Sequence, residues 1–261
     1  MPPVPESSAE RTFSTRVMED NGRALVNDYD SFAEAYTAET EANLINGYYT
    51  RPAILDLAGD VAGRRILDVG CGSGPISAAL RDRGAIVTGL DSSAKMLELA
   101  RQRLGDGADL HLADLGRPLP FPDGAFDDVI AALVLHYLED WTAPLAELRR
   151  VLTPGGRLII AVDHPIAMLI QAMQTGIQAE YFTTRKRSEE WTLGGQTAQM
   201  SFWDRPLHAM TDAFTAAGFR ISVISEPLPA PDTPRELLPA KIADKPVPAF
   251  LCFIFFVLEA R

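Results

Sequence analysis

LDVGCGSG, residues 67–74, is the stretch whose reading decides the fold. It follows an apolar run at 65–69 with strand character and precedes a helix-period segment at 76–83. Gly70, Gly72 and Gly74 alternate with other residues, so the chain can turn tightly and bring bare backbone up to a ligand with no Cβ in the way. A second strand at 85–90 leads directly into Asp91, where a carboxylate can accept both hydroxyls of a ribose. The spacing is GxGxG, and Pro75 stands where the dinucleotide fingerprint needs its third glycine. Asp68, just ahead of the loop, is a charge that disfavours a diphosphate and suits an amino-acid headgroup. A dinucleotide fits this loop poorly.

Outward from the loop, strands and helices alternate. Ser92 and Ser93 are good N-cap residues for a helix with Leu97, Ala100 and Leu104 on one face. Strands are expected at 109–112 and 126–133. The next helix starts at Thr142, turns Leu145, Leu148 and Leu152 inward, and should stop at Pro154-Gly155-Gly156 before a fifth strand at 156–162. This alternation means parallel strands with crossover helices, a doubly wound α/β sheet. The pattern breaks at 165–203, where a short apolar helix at 166–173 precedes a hairpin suggested by Gly194-Gly195. It resumes with a helix at 206–217 and strands at 219–226 and 250–259, the two strands separated by a Pro-rich loop. Near the N-terminus, Tyr29, Phe32, Ala33 and Tyr36 form one apolar stripe of a helix within 24–40, while residues 1–22 read as a loose leader. Residues 23–261 are thus expected to make a single domain, with lid elements at about 23–60 and 165–205.

The chain has 261 residues, 47% apolar and 23% charged, which excludes wholesale disorder. Its net charge of −11 without a basic stripe speaks against nucleic-acid or anionic-membrane partners. The run Arg185-Lys186-Arg187 is followed by Glu189-Glu190 and reads as a solvated loop. Cys71 and Cys252 form neither a CxxC nor a disulfide framework, which suits a reducing cytosol. The N-terminal stretch lacks the apolar core of a signal peptide, and the run at 249–258 is about half the ~20 residues that span a bilayer. A cytoplasmic protein is expected, with oligomeric state left open and no metal ligand set.

LDVGCGSG, together with GLDSSAKMLELAR, ADLGRPLPFPDGAFDDVIAALVLHYLED and ELRRVLTPGGRLII, resembles the class I S-adenosylmethionine-dependent methyltransferases. Within them it is most similar to the small-molecule group with a UbiE-like, type 11 core. The resemblance runs from about 63 to 163, and its terminal strand pair reaches the end of the chain. It implies a Rossmann-like seven-stranded sheet, with the last strand antiparallel between the fifth and sixth. It further implies that Gly70, Cys71 and Gly72 lie against the methionine part of S-adenosylmethionine. Asp91 would bind the ribose, Ser92 and Met96 would border the adenine, and Asp114 and Leu115 would meet its amino edge. Ala132 and Leu133 would present carbonyls near the cofactor's amino group, and Tyr29 and Tyr36 would close over the site. S-adenosylhomocysteine would be the product.

Methyl transfer from a sulfonium is an in-line displacement, and a base is needed only where the acceptor arrives protonated. Candidates for that role should lie past the fourth and fifth strands, at His136, Tyr137 and His164, with Tyr181 in the irregular insertion. His136 reads equally as a loop cap, and Asp163 as a loop or helix-cap residue. The insertion aromatics Phe182, Trp191, Phe202 and Trp203 either pack a small lid or line an acceptor pocket. Cys71 serves as a small loop residue and is not read as a nucleophile. Two rivals stay open: a relative that keeps the cofactor but catalyses a cyclisation or elimination, and a non-catalytic cofactor-binding module. The methylated atom (oxygen, nitrogen, carbon or sulfur) is not legible.

Overall fold

The computed structural model describes residues 27–177, 180–246 and 249–261, so the expected leader at 1–22 lies outside the described residues. Five strands run parallel: β1 (Arg65–Val69), β2 (Ile86–Asp91), β3 (Asp109–Leu112), β4 (Phe126–Ala132) and β5 (Leu152–Asp163). A separate hairpin pairs β6 (Arg185–Leu193) with β7 (Gln196–Asp204), and β8 (Phe219–Ser225) and β9 (Phe253–Ala260) complete the main sheet. The sheet order is β3-β2-β1-β4-β5-β9-β8, with β9 antiparallel to both neighbours. The chain moves outward from β1 through β2 to β3, then jumps back to β4. That reversal opens a crevice past the C-terminal ends of β1 and β4.

Side chains alternate across the sheet and feed two cores. Leu67, Val129 and Phe256 face the α5 (Thr142–Val151) and α7 (Leu207–Ala216) side with Trp141 and Phe214. Ile66, Ile130 and Phe255 face the α2 (Arg51–Ala58) and α3 (Pro75–Asp82) side with Ile54 and Leu80. Helix α4 (Ala94–Leu104) starts as expected, with the Ser93 hydroxyl accepting the Met96 N–H at 3.0 Å. At the sheet end away from the crevice, the fully buried Asp128 receives Arg64 and Arg157, both through two nitrogens. Among the described residues, no helix is long and apolar enough to cross a membrane.

Four expectations change. Helix α5 ends at Val151, and Pro154-Gly155-Gly156 lies inside β5, because Leu152 already pairs with Phe126 before the ladder resumes at Asp128 and Arg157. The intervening residues form an irregularity in which a Cβ on Gly156 would sit 2.9 Å from the Thr153 carbonyl. Near the N-terminus, a 3-10 turn (Tyr29–Ser31) precedes α1 (Ala33–Thr40), since Phe32 leaves helical geometry at φ −136°. The terminal strand starts at Phe253. Arg185 and Arg187 are not in a solvated loop: they belong to β6, and the Arg187 side chain, 11% exposed, lies among carboxylates.

The hairpin turns at Gly194-Gly195 with φ of 57° and 79°, values that a two-residue hairpin turn favours and other residues resist. Its tip packs on α1, where a Cβ on Gly194 would meet the Ala35 Cβ at 2.8 Å. Helix α6 (Pro165–Gln174) links β5 to this hairpin.

Candidate active site

Past β1 the backbone takes φ of 68°, 55° and 80° at Gly70, Gly72 and Gly74. Gly70 and Cys71 both donate their N–H groups to the Leu90 carbonyl, pinning the loop against β2. A Cβ added to Gly72 would meet nothing within 4 Å, so the bare backbone faces open crevice. The Asp91 carboxylate accepts the Gly72 N–H at 2.8 Å on one oxygen and the Ser93 N–H at 2.9 Å on the other. Burial raises its pKa, against these backbone donors. Asp68 accepts the Ser77 hydroxyl at 2.6 Å, and burial pushes it up to about 6. Burial likewise holds the Cys71 thiol far above its ordinary value, which fits a small packing residue. Leu133, after β4, adopts φ 58°, a strained left-handed conformation for a leucine.

These groups line a cavity of about 440 Å³. All twelve residues expected at a cofactor share it: Tyr29, Tyr36, Gly70, Cys71, Gly72, Asp91, Ser92, Met96, Asp114, Leu115, Ala132 and Leu133. Its roof comes from the N-terminal segment, anchored at three places. Asp30 accepts both the Ser93 hydroxyl and the Lys95 N–H. The Tyr29 and Tyr137 hydroxyls meet at 2.5 Å, and burial first, then Tyr137, drives the Tyr29 pKa well up. The Asn27 amide pairs with both backbone groups of Ser201 on β7 at 2.7 and 3.1 Å.

Sequence reading missed Asn27, Asn46, Thr50 and Arg51, which also line this cavity. Thr50 is 3% exposed, and its hydroxyl has no hydrogen-bond partner. The π-helical turn Asn46–Thr50 ahead of α2 sets these side chains, and it breaks the helical period that would have flagged them.

A second cavity of about 350 Å³ shares Tyr36, Asn46, Leu133 and Tyr137 with the first. His136, in the 3-10 turn Leu135–Tyr137, and Asp163, at the end of β5, lie in its wall with Trp191 and Phe202. Of the four candidate bases, the structure therefore brings His136 and Tyr137 to the crevice. It takes the other two elsewhere. His164 caps α6, its Nδ1 accepting the Ile166 N–H at 3.1 Å while its Nε2 lies 2.7 Å from Glu226. Tyr181 lines a small groove with Arg185, Asp204 and Pro206.

The sheet order and the glycine loop beside Asp91 define an α/β protein with a nucleoside-type crevice. Residues 67–160 match the family described as "Methyltransferase domain". A demethylmenaquinone methyltransferase of Tropheryma whipplei is 33% identical over 142 residues, 52% of this chain and 58% of that relative. The chain thus spans little more than half of that curated relative's length. An S-adenosylmethionine-dependent methyltransferase from Mesorhizobium loti, 26% identical, superposes with a TM-score of 0.58 over 80% of this chain and 96% of its own. The [4+2]-cyclase SpnF, 20% identical, shares the fold with a TM-score of 0.57 over 89% of this chain and 93% of its own. Residues 67–160 are thus similar in sequence, and the surrounding fold in structure, to the class I S-adenosylmethionine-dependent methyltransferases.

The crevice fits that family's cosubstrate. Open space over Gly72 leaves room for it, and each Asp91 oxygen retains a lone pair after its backbone donor. The Thr50 hydroxyl waits in the wall without a partner.

Proposed function

We propose that this chain transfers the methyl group of S-adenosylmethionine to a small organic molecule and releases S-adenosylhomocysteine. The observation that carries this reading is the shared wall at Leu133 and Tyr137, where the nucleoside crevice adjoins a second, aromatic-walled cavity. Asp91 takes the ribose hydroxyls, and Asp114 and Leu115 take the adenine amino edge. Gly70 to Gly72 receive the methionine part, and Arg51 supplies a cation for its carboxylate. The Ala132 and Leu133 carbonyls face the amino group. The protein's work is then alignment and exclusion of water, which can supply much of the acceleration for an in-line displacement.

Residues 23–261 act in this reading as one domain. Residues 27–58, 165–177 and 180–204 cover the crevice and lie outside the family match at 67–160. Only two cysteines in 261 residues, far apart in sequence, support a cytoplasmic location. Calorimetry with S-adenosylhomocysteine and NAD, followed by transfer from a labelled methyl donor to a metabolite panel, tests the proposal. The first should bind and NAD should not. Absence of heat with S-adenosylhomocysteine, or turnover without its stoichiometric release, overturns it.

A further inference from the structure

The glycine loop carries an outer brace of three charges. Glu41 follows α1 and lines the first cavity together with Arg51, the opening residue of α2. Arg103, on α4, grips both Glu41 carboxylate oxygens, from Nη1 at 3.1 Å and from Nη2 at 2.5 Å. Its Nε donates to the Ser73 carbonyl at 2.9 Å, so Glu41 is pinned beside the glycine loop. Arg51 is tied to the same residue. Its Nη2 donates to the Glu41 backbone carbonyl at 2.6 Å, while its Nη1 stands 3.7 Å from Oε1, beyond hydrogen-bond reach. Arg103 beside Glu41 holds the carboxyl below the ordinary glutamate value, which keeps it ionised at neutral pH.

The last turn of α1 gives no reason for this carboxylate. A helix C-terminus favours cations, yet Glu41 sets a negative charge there with no basic residue in that turn to offset it. Glu41 and Arg51 are 44% and 23% exposed, and ion pairs at such exposure contribute little to stability. What the carboxylate does reach is Arg51, the cation assigned above to the donor's own carboxylate. An oxygen hydrogen-bonded to Nη1 at about 2.9 Å lies no more than about 7 Å from Glu41 Oε1, inside the ~8 Å over which salt screens charges. Arg103 holds both oxygens, so Glu41 does not swing away as a ligand enters.

We infer that Glu41 is a specificity residue for the donor's amino-acid end, competing with the donor carboxylate for Arg51. The inference rests on the methyltransferase reading and on Arg51 as the carboxylate's cation. The carboxylate at Arg51 is the group next to Glu41, so repulsion outweighs the pull on the donor's ammonium. A ligand that carries the ammonium alone feels the opposite force. Donor and product share this end and are weakened alike, which leaves the chemical step untouched and lets S-adenosylhomocysteine depart sooner.

Calorimetry with three ligands tests this: S-adenosylhomocysteine, 5′-methylthioadenosine, which lacks both the amino and the carboxyl group, and decarboxylated S-adenosylhomocysteine, which keeps only the ammonium. Glu41→Gln, which retains an oxygen for Arg103, should tighten S-adenosylhomocysteine about threefold or more. It should loosen the decarboxylated compound and leave 5′-methylthioadenosine unchanged. Arg51→Gln should weaken S-adenosylhomocysteine about tenfold, and most of the gain from Glu41→Gln should vanish in the double variant. A roof merely loosened by the substitution would move all three ligands in one direction. That outcome overturns the inference. So does unchanged or weaker binding of S-adenosylhomocysteine to Glu41→Gln, an unaltered constant in Arg51→Gln, or a gain that persists whole without Arg51. Failure of the wild-type protein to bind S-adenosylhomocysteine removes the underlying reading instead.

Discussion

Asp91 is held by two backbone N–H groups that fix its carboxylate at the lip of β2 with lone pairs still facing the crevice. Charge-assisted hydrogen bonds are worth about 1.5–3 kcal/mol each. Asp91→Ala should therefore weaken S-adenosylhomocysteine by about tenfold or more, with the thermal midpoint little changed. An unaltered dissociation constant would show that the ribose lies elsewhere. Asp68 makes a pH prediction. Its ordinary value is 3.8 and burial raises it to about 6, so between those values the unfolded chain ionises while the folded chain keeps its proton. The unfolded state then binds fewer protons, and stability falls as pH rises through this window. The loss is on the order of 3 kcal/mol and complete above the folded value. Urea denaturation of wild type and Asp68→Asn at several pH values between about 4 and about 7 should show wild type losing ground to the variant as pH rises. A constant gap would mean that Asp68 titrates normally in the fold.

Single elements show where sequence reading succeeds. Strands β1 to β4 are short, apolar and bounded by glycine or a cap residue, so the binary pattern places them within a residue or two. The glycine loop is legible for the same reason, since its chemistry is local. The Gly194-Gly195 hairpin was legible, but the first part of β6 was not, because RKRSEE is charged at positions that look solvated. Its Arg187 is covered only because Asp163 arrives from β5 and Asp204 from β7, a pairing that no local window contains. The Thr50 and Arg51 positions were lost to a π-helical turn. His164 illustrates the opposite error: a histidine beside a proline after a strand looks placed for chemistry, yet it caps α6. His164→Ala should cost about 0.5–2 kcal/mol of stability in urea, as loss of an N-cap does. His164→Asn should recover most of it, and both variants should keep wild-type S-adenosylhomocysteine affinity. A fall in that affinity for both would mean the cap residue acts on the site after all.

At the scale of the molecule, the two ends of the sheet do different work. The end away from the crevice is locked by Asp128 between Arg64 and Arg157. Removing one partner of a fully buried ion pair costs about 3–5 kcal/mol, but Arg64 and Arg157 are 35% and 26% exposed and keep part of their hydration. Asp128→Ala should therefore lose about 1–3 kcal/mol of stability in urea, while any folded protein binds S-adenosylhomocysteine normally. An unchanged urea midpoint would show that this ion cluster contributes nothing to the fold. The crevice end is instead covered by segments distant in sequence, and this has a consequence for its breathing. Asn27 and Ser201 are 174 positions apart, and their paired amide bonds act as a clasp between the strap over the nucleoside crevice and the hairpin over the second cavity. A ligand that seats under the strap must then quiet the hairpin it never touches, since the clasp opens less often when one side is weighted down. Amide exchange across 185–204 should slow when S-adenosylhomocysteine binds, and Asn27→Ala should abolish the slowing while leaving the exchange of β1 to β5 as it was. If exchange in the hairpin ignored the ligand, the two halves of the cover would breathe independently, and the order in which donor and acceptor enter would be free.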